Sequence, residues 1–217
     1  MKKENMKLIA GMLLFGSLWG FSEVIIGSSL NEAGMPSGGI MTGFFAITFL
    51  VMSRMYYKRP GMQLGMGLVA GGLRLFNPFA GCHLCSALAI MAEGMIFEII
   101  WYNMSFDLKE LKSRTMQASM GVVTAYLVYV GGYTVTQILT PVVSGAGFYL
   151  ENLVVFMPRI LASGLLPALI GGATLTLVVQ SSKLDLKLKD ALYYPTTIGV
   201  SAFCWIFVVG AWFMLGA

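Results

Sequence analysis

The chain has 217 residues, of which 57% are hydrophobic and 11% are charged, whereas a soluble domain usually carries about 25% charged residues. This composition excludes an ordinary soluble domain. The formal net charge of +4 could indicate nucleic-acid binding, but the basic residues lie mainly in the segments that flank apolar stretches, where membrane topology explains them.

Apolar stretches long enough to cross a hydrocarbon core of ~30 Å, about 20 residues each, recur along the chain. They predict an all-α, polytopic transmembrane helical bundle that occupies residues 1–217 as a single membrane domain. The first stretch follows Lys2, Lys3 and Lys7, and its length and the lack of an A-x-A-like site favour a span over a cleaved signal peptide. In chain order, the sequence predicts about seven spans, at residues 8–30, 38–56, 62–79, 84–102, 116–140, 153–179 and 196–215.

The basic residues of the connecting segments all fall on one side of this bundle. Of the 14 Lys and Arg residues, all but Arg74 and Arg159 lie in the N-terminal tail, at the end of the second span, or in the segments that follow the second, fourth and sixth spans. The segments 31–37, 78–83 and 141–152 contain none. The positive-inside rule therefore predicts a cytoplasmic N-terminus and an external C-terminus, in a multi-pass protein of the plasma membrane.

Small residues are frequent in the first, third and sixth spans, and the first contains Gly16-x-x-x-Gly20. Close approach of backbones is a main source of helix association in lipid. Gly16 and Gly20 could therefore pack within the chain or form a docking face for a partner membrane subunit. A motif this short is common in apolar helices, so it does not decide between the two.

Ionisable groups inside a span cost about 2.5–3.5 kcal/mol each on insertion scales and are functional-site candidates by default. Glu23, Arg74 and Arg159 fall at similar depth in the outer half of their spans. Polar and aromatic residues of the third to fifth spans lead to the same side. The predicted solute-binding residues are Glu23, Arg74, Asn77, His83, Tyr129, Tyr133, Gln137 and Arg159.

These residue types favour an outward-opening pocket for a small anionic or zwitterionic solute. Guanidinium groups present forked donors to carboxylate or phosphate, and tyrosines offer a flat wall to a ring. Alternatively, Glu23 pairs with one arginine to tie helices together while the tyrosines belong to the interfacial aromatic belt. Glu93, in the middle of the fourth span, could face the pocket floor or carry a coupling proton.

A C-x-x-C motif, Cys82 to Cys85, lies at the outer start of the fourth span, where the helix dipole favours thiolate. It could serve a membrane thiol-disulfide or quinone oxidoreductase, although such relays generally need a second pair and the chain adds only Cys204. Cys82, His83 and Cys85 could instead be ligands in a metal-ion transporter, without a second cluster of structural-zinc spacing. We favour the third hypothesis, a local disulfide or two buried thiols.

The sequence contains no phosphate loop, nucleotide-binding domain or H-E-x-x-H motif. We therefore expect a protein that is not an enzyme, has no cofactor, does not bind nucleic acid, and takes energy for any transport from a partner or an ion.

The chain resembles the substrate-binding S components of energy-coupling factor transporters, on Gly16-x-x-x-Gly20, the 65–74 stretch and the 89–94 segment. The resemblance implies capture of a vitamin or micronutrient outside the cell, and association with a coupling subunit and two ATPases. S components typically have six spans and alanines in the first-span motif, whereas this chain has glycines and about seven predicted spans.

The orientation can be tested with reporter fusions. A reporter that works only in the cytoplasm should be inactive at the C-terminus, because the last span is predicted to run outward. The same reporter inserted in the basic segment 183–189 should be active and serves as the control. Cytoplasmic activity at the C-terminus would contradict the predicted topology and require an even number of crossings.

Overall fold

The computed structural model describes residues 2–79, 82–102, 104, 107–144, 150–181 and 190–215. All regular elements in these ranges are helical, which confirms the predicted all-α class. The helices are α1 (Lys2–Glu32), α2 (Ser37–Tyr56), α3 (Met62–Arg74), α4 (His83–Tyr102), α5 (Arg114–Ser144), α6 (Leu150–Ser163), α7 (Leu165–Ser181) and α8 (Asp190–Leu215). Within α2, Met41–Ala46 is π-helical, and the single turn Leu108–Glu110 precedes α5.

Six segments are long and apolar enough to cross a membrane, which confirms an integral membrane protein. They are Glu4–Glu32, Ser37–Tyr56, His83–Tyr102, Arg114–Val143, Leu153–Ser181 and Tyr193–Leu215. The fifth of them comprises parts of α6 and α7, which meet at Gly164.

The predicted third span, 62–79, is the exception, because its helix ends early. Helix α3 has 13 residues, about 20 Å at 1.5 Å per residue, and ends at Arg74. Asn77 precedes Pro78, and the residue before a proline is disfavoured in the helical conformation. A seventh helix therefore lies in the bundle, but it is too short to cross a membrane by its own length.

The first and last helices run in the same direction. The Tyr193 hydroxyl donates a hydrogen bond to the Lys7 carbonyl near the start of both helices. Further along, Trp205 Nε1 donates to Ser17 Oγ at 3.2 Å. Helix α8 is therefore parallel to α1, so its C-terminal end lies at the opposite end of the bundle from Lys2. Which end faces the cytoplasm stays a prediction.

Helix α1 packs on α3 through Gly16 and Gly20. A Cβ on Gly16 would lie 2.7 Å from Val69 Cβ, and a Cβ on Gly20 would lie 2.9 Å from Ala70 Cα. Both glycines are buried. Their face is occupied by the same chain, which favours packing within the chain over the partner-docking face that the sequence also allowed.

The start of α3 is fixed by a carboxylate of α4. Glu98 accepts hydrogen bonds from the backbone N–H groups of Gly61 and, at 2.9 Å, Leu64, which satisfies donors that a helix start leaves unpaired. Gly61 has φ +89°, a conformation that glycine adopts without steric cost.

A small cluster of ion pairs lies between the end of α2 and the segment before α5. Asp107 lies beside Lys58 and 3.9 Å from Arg54 Nε. Burial alone would raise the pKa of the Asp107 carboxyl, but the Lys58 ammonium, the Leu108 N–H and the Arg54 charge outweigh burial and hold the pKa below its usual value. This cluster joins the C-terminal end of α2 to the segment before α5.

The α1–α3 contact predicts a steep dependence on side-chain size at Gly20. Because the nearest atoms are backbone atoms of Ala70, Gly20→Ala should already lower the thermal stability of the purified protein, and Gly20→Leu should lower it further. Overpacking typically costs 1–3 kcal/mol. The measurement is thermal unfolding in mild detergent.

Gly210 in α8 offers the matched control, since nothing lies within 4 Å of a Cβ placed there. Gly210→Ala and Gly210→Leu should unfold close to the wild-type temperature. A Gly20→Leu protein of unchanged stability that loses a co-purifying membrane protein would contradict internal packing and support the docking face.

Candidate functional site

A cavity of about 280 Å³ lies between α1, α2, α4 and α5, beside the last turn of α3. This volume is near the lower end of the roughly 300–1,000 Å³ typical of small-molecule pockets. Three ionisable side chains, Glu23, Arg74 and Glu93, and the ring of Tyr133 line it. Smaller polar residues complete the wall, among them Ser28, Asn31, Ser37, Thr42 and Ser86.

Helical periodicity brings these side chains to one place. Glu23, Gly27 and Asn31 of α1 are spaced by four residues, and Ser86 and Glu93 of α4 by seven, so each set lies on one helix face. A Cβ at Gly27 would come into ordinary van der Waals contact with Met41 Cγ at 3.4 Å and with a Glu23 carboxylate oxygen at 3.5 Å. The cavity is thus bounded by one face of each helix.

Arg74 is positioned by neutral acceptors. Its Nη1 donates to the Glu23 backbone carbonyl at 2.8 Å and to Ser28 Oγ at 3.3 Å, while its Nε is buried without a hydrogen-bond partner. No carboxylate of the described residues lies within the 4.0 Å of an ion pair. The guanidinium therefore borders the cavity with no carboxylate in direct contact, although Arg74 and Glu23 are close enough for their opposite charges to attract.

Glu23 and Glu93 are held by single hydrogen bonds. Glu23 Oε1 accepts from Trp19 Nε1 at 3.2 Å. Glu93 is 3% exposed; its Oε1 accepts from Thr42 Oγ1 at 2.6 Å, whereas its Oε2 is buried without a partner. Glu93 therefore borders the cavity, as one of the two roles predicted for it requires.

Tyr133 is the aromatic wall, and Tyr129 supports it from behind. The ring centroids are 4.5 Å apart with an interplanar angle of 35°. Tyr129 is buried and its hydroxyl donates to Ser163 Oγ at 3.3 Å. Of the two predicted tyrosines, Tyr133 lines the cavity directly.

Asn77 and His83 shape the loop beside the cavity and are not part of its lining. Asn77 is buried, and its Oδ1 accepts from Ser28 Oγ at 3.4 Å and from the Phe79 N–H at 3.3 Å. His83 Nε2 lies 2.9 Å from the Phe79 carbonyl oxygen. Both residues thus hold the segment that follows α3.

Gln137 and Arg159 are not brought to the cavity. Gln137 is half-buried on α5, four residues beyond Tyr133, and Arg159 is exposed on α6. Neither belongs to the residues that line the 280 Å³ space. Their role in solute binding stays a prediction that this geometry does not support.

Sequence reasoning missed the small polar residues of the wall, namely Ser28, Asn31, Thr42 and Ser86. Serine and threonine in apolar helices often bond their own backbone, so they give no clear signal. Thr42 lies in the π-helical part of α2, and such segments occur often at functional sites. The four-residue spacing from Glu23 to Asn31 was the one visible clue.

Cys82 and Cys85 form a local disulfide, with Cα atoms 5.3 Å apart, as the favoured hypothesis allowed. Cys82 borders the cavity. Cys204 is buried in α8 against Val24 and Leu73. Among the residues that the structure describes, no group of three or more His, Cys, Asp or Glu side chains could hold a metal ion, so the predicted ligands Cys82, His83 and Cys85 do not form such a group.

Comparison with known proteins adds no relative on which to build. No protein-family model, curated protein or solved structure matches the chain.

Proposed function

We propose that the protein is a substrate-binding or transport subunit that holds a small anionic or zwitterionic solute, of the vitamin or micronutrient class, in the cavity beside Arg74. The observation that carries the proposal is the Arg74 guanidinium, which borders a 280 Å³ space and is oriented by two neutral acceptors. A carboxylate or phosphate of a solute would add a direct, charge-assisted contact to Arg74.

The setting strengthens this argument. Ionisable groups within membrane helices are costly and occur mainly where they line solute or ion pathways. Glu23 and Glu93 lie in two of the six candidate spans, Arg74 lies at the end of the shorter α3, and the three side chains meet at one cavity. A purely structural role would be expected to pair the opposite charges directly, and the described contacts contain no such pair.

The test is Arg74→Gln, which removes the charge and keeps a polar side chain of moderate length. We expect the variant to lose solute binding by at least about tenfold, the lower range for a hydrogen bond to a charged group. The protein would be purified from its own host in mild detergent, and bound small molecules would be identified by native mass spectrometry. Affinity for the recovered solute is then compared between wild type and variant.

Arg159→Gln is the matched control, because Arg159 is exposed and lies outside the cavity lining. It should bind like the wild type. If the Arg74 variant binds the solute as tightly as the wild type, the site lies elsewhere. If only the Arg159 variant loses binding, the pocket that the sequence predicted, with Arg159 as a member, is supported instead.

We also propose that the chain works with other membrane subunits, in the manner that its resemblance to S components implies. The support is the absence of any energy-converting motif in the sequence. Since α3 covers Gly16 and Gly20, a partner would have to dock on another face.

Affinity purification in mild detergent, followed by mass spectrometry of co-purifying proteins, should recover a coupling membrane subunit with ATPases. An unrelated membrane protein of the same host, carrying the same tag and purified in the same way, provides the background of non-specific partners. Recovery of the chain alone, active in transport after reconstitution into liposomes, would overturn the subunit proposal. It would favour an autonomous ion-coupled carrier, with Glu93 as the first candidate for the coupling proton.

A further inference from the structure

Two carboxylates, Glu23 of α1 and Glu93 of α4, line the cavity. Glu93 is close enough to Glu23 to feel its charge, and Glu23 also feels the opposite charge of Arg74. Two like charges in a poorly solvated space are unfavourable unless a proton or a positive group lies near them. The cavity therefore has an acidic side that calls for a positive partner.

No basic side chain supplies that partner by direct contact. Among the described residues, no Lys or Arg nitrogen lies within 4.0 Å of either carboxylate. The Glu93 side chain is 3% exposed, and its Oε2 has no hydrogen-bond partner. A buried acceptor without a donor is costly, so this atom marks a place where a donor is missing.

The charge balance of the lining points to the kind of donor. One guanidinium, Arg74, faces two carboxylates, Glu23 and Glu93. With both carboxylates ionised, a solute with only negative charge would add to the excess, whereas a solute ammonium would offset it and favour their ionised form. Metal ions are a weaker match, because no group of three suitable side chains occurs among the described residues.

The ring of Tyr133 favours an organic cation further. Tyr133 lines the cavity and is close enough to Glu93 and Glu23 to feel both charges. A cation between the carboxylates would lie near Tyr133, and aromatic rings attract cations. An alkyl ammonium also brings three N–H donors, which suits carboxylate oxygens that are incompletely bonded.

We infer, on the basis of the proposed function, that Glu23 and Glu93 form an ammonium subsite and that the solute is a small amino carboxylate whose acid group binds Arg74. Glu93 is seven residues further into α4 than Ser86, about 10 Å along the helix. Arg74 contacts Ser28, and Asn31 extends the α1 wall one turn beyond Gly27. The ammonium thus lies inward and the carboxylate toward the Ser28–Asn31 end.

The test measures binding of matched probes to the full-length protein in detergent. The probes are the standard amino acids and the ω-amino acids from β-alanine to 6-aminohexanoate, each with its des-amino acid and its decarboxylated amine. At least one amino carboxylate should bind. Its des-amino acid and its decarboxylated amine should each bind about tenfold more weakly or worse. Native mass spectrometry and thermal shift give the affinities.

Glu93→Gln and Glu23→Gln should each weaken binding of the amino carboxylate by about tenfold to a hundredfold and should not weaken binding of the des-amino acid, because a negative charge is removed from the cavity. Glu110→Gln removes an exposed carboxylate outside the cavity and should change nothing. Glu93→Asp keeps the charge, and it should retain the preference for the amine even where Glu93→Gln fails to give a monodisperse protein.

Three outcomes would overturn the inference. Equal binding of des-amino acids would leave the proposed function intact but remove the ammonium subsite. Full affinity in Glu93→Gln and Glu23→Gln would assign the carboxylates a proton instead of a solute cation. Binding of no probe would exclude amino carboxylates of this size, and the solute that co-purifies with the wild type would then decide the proposed function separately.

Discussion

The close approach of α3 to its two neighbours is the contact on which the rest of the structure depends. In lipid, apolar side chains gain little by exchanging contacts with lipid tails for contacts with another helix. Helix association therefore depends on close approach of the backbones. On one face, Gly20 of α1 meets Ala70 of α3; on the other, a Cβ on Gly94 of α4 would lie 2.5 Å from the Gln63 carbonyl oxygen. Held on both faces, a helix of 13 residues lies in the bundle although it is too short to cross by itself.

The short helix also determines where a charge is placed. Arg74 lies in the last turn of α3, where the unpaired carbonyl groups favour a cation. The same end is joined to α1 through the contacts of Arg74 with the Glu23 carbonyl and Ser28, and Asn77 adds a second contact to Ser28. If the helix had continued to residue 79, as predicted for a full third span, Arg74 would lie within the helix and not in its last turn. The element that provides tight packing therefore also delivers the guanidinium to the cavity.

Apart from the early end of α3, the sequence predicted what depends on position along a helix axis and failed on what depends on direction around it. The all-α class, most helix positions and the common depth of Glu23 and Arg74 follow from apolar lengths and from charges within them. Arg159 matched them in depth, yet it faces outward from α6. Whether Gly16 faced a partner or its own chain was undecidable for the same reason, since the neighbour of a helix face is set by tertiary packing.

Direction around the helix also changes the chemistry expected of the site. Counting depth alone joined two guanidiniums to Glu23 and favoured an anionic or zwitterionic solute, whereas the observed lining joins Arg74 to Glu23 and Glu93. Unit charges 4 Å apart interact by about 4 kcal/mol at an effective dielectric of about 20, which is the order of the electrostatic effect that one charged residue at a cavity wall can have. The charge of this cavity's lining therefore depends on the direction in which Glu93 and Arg159 project from α4 and α6.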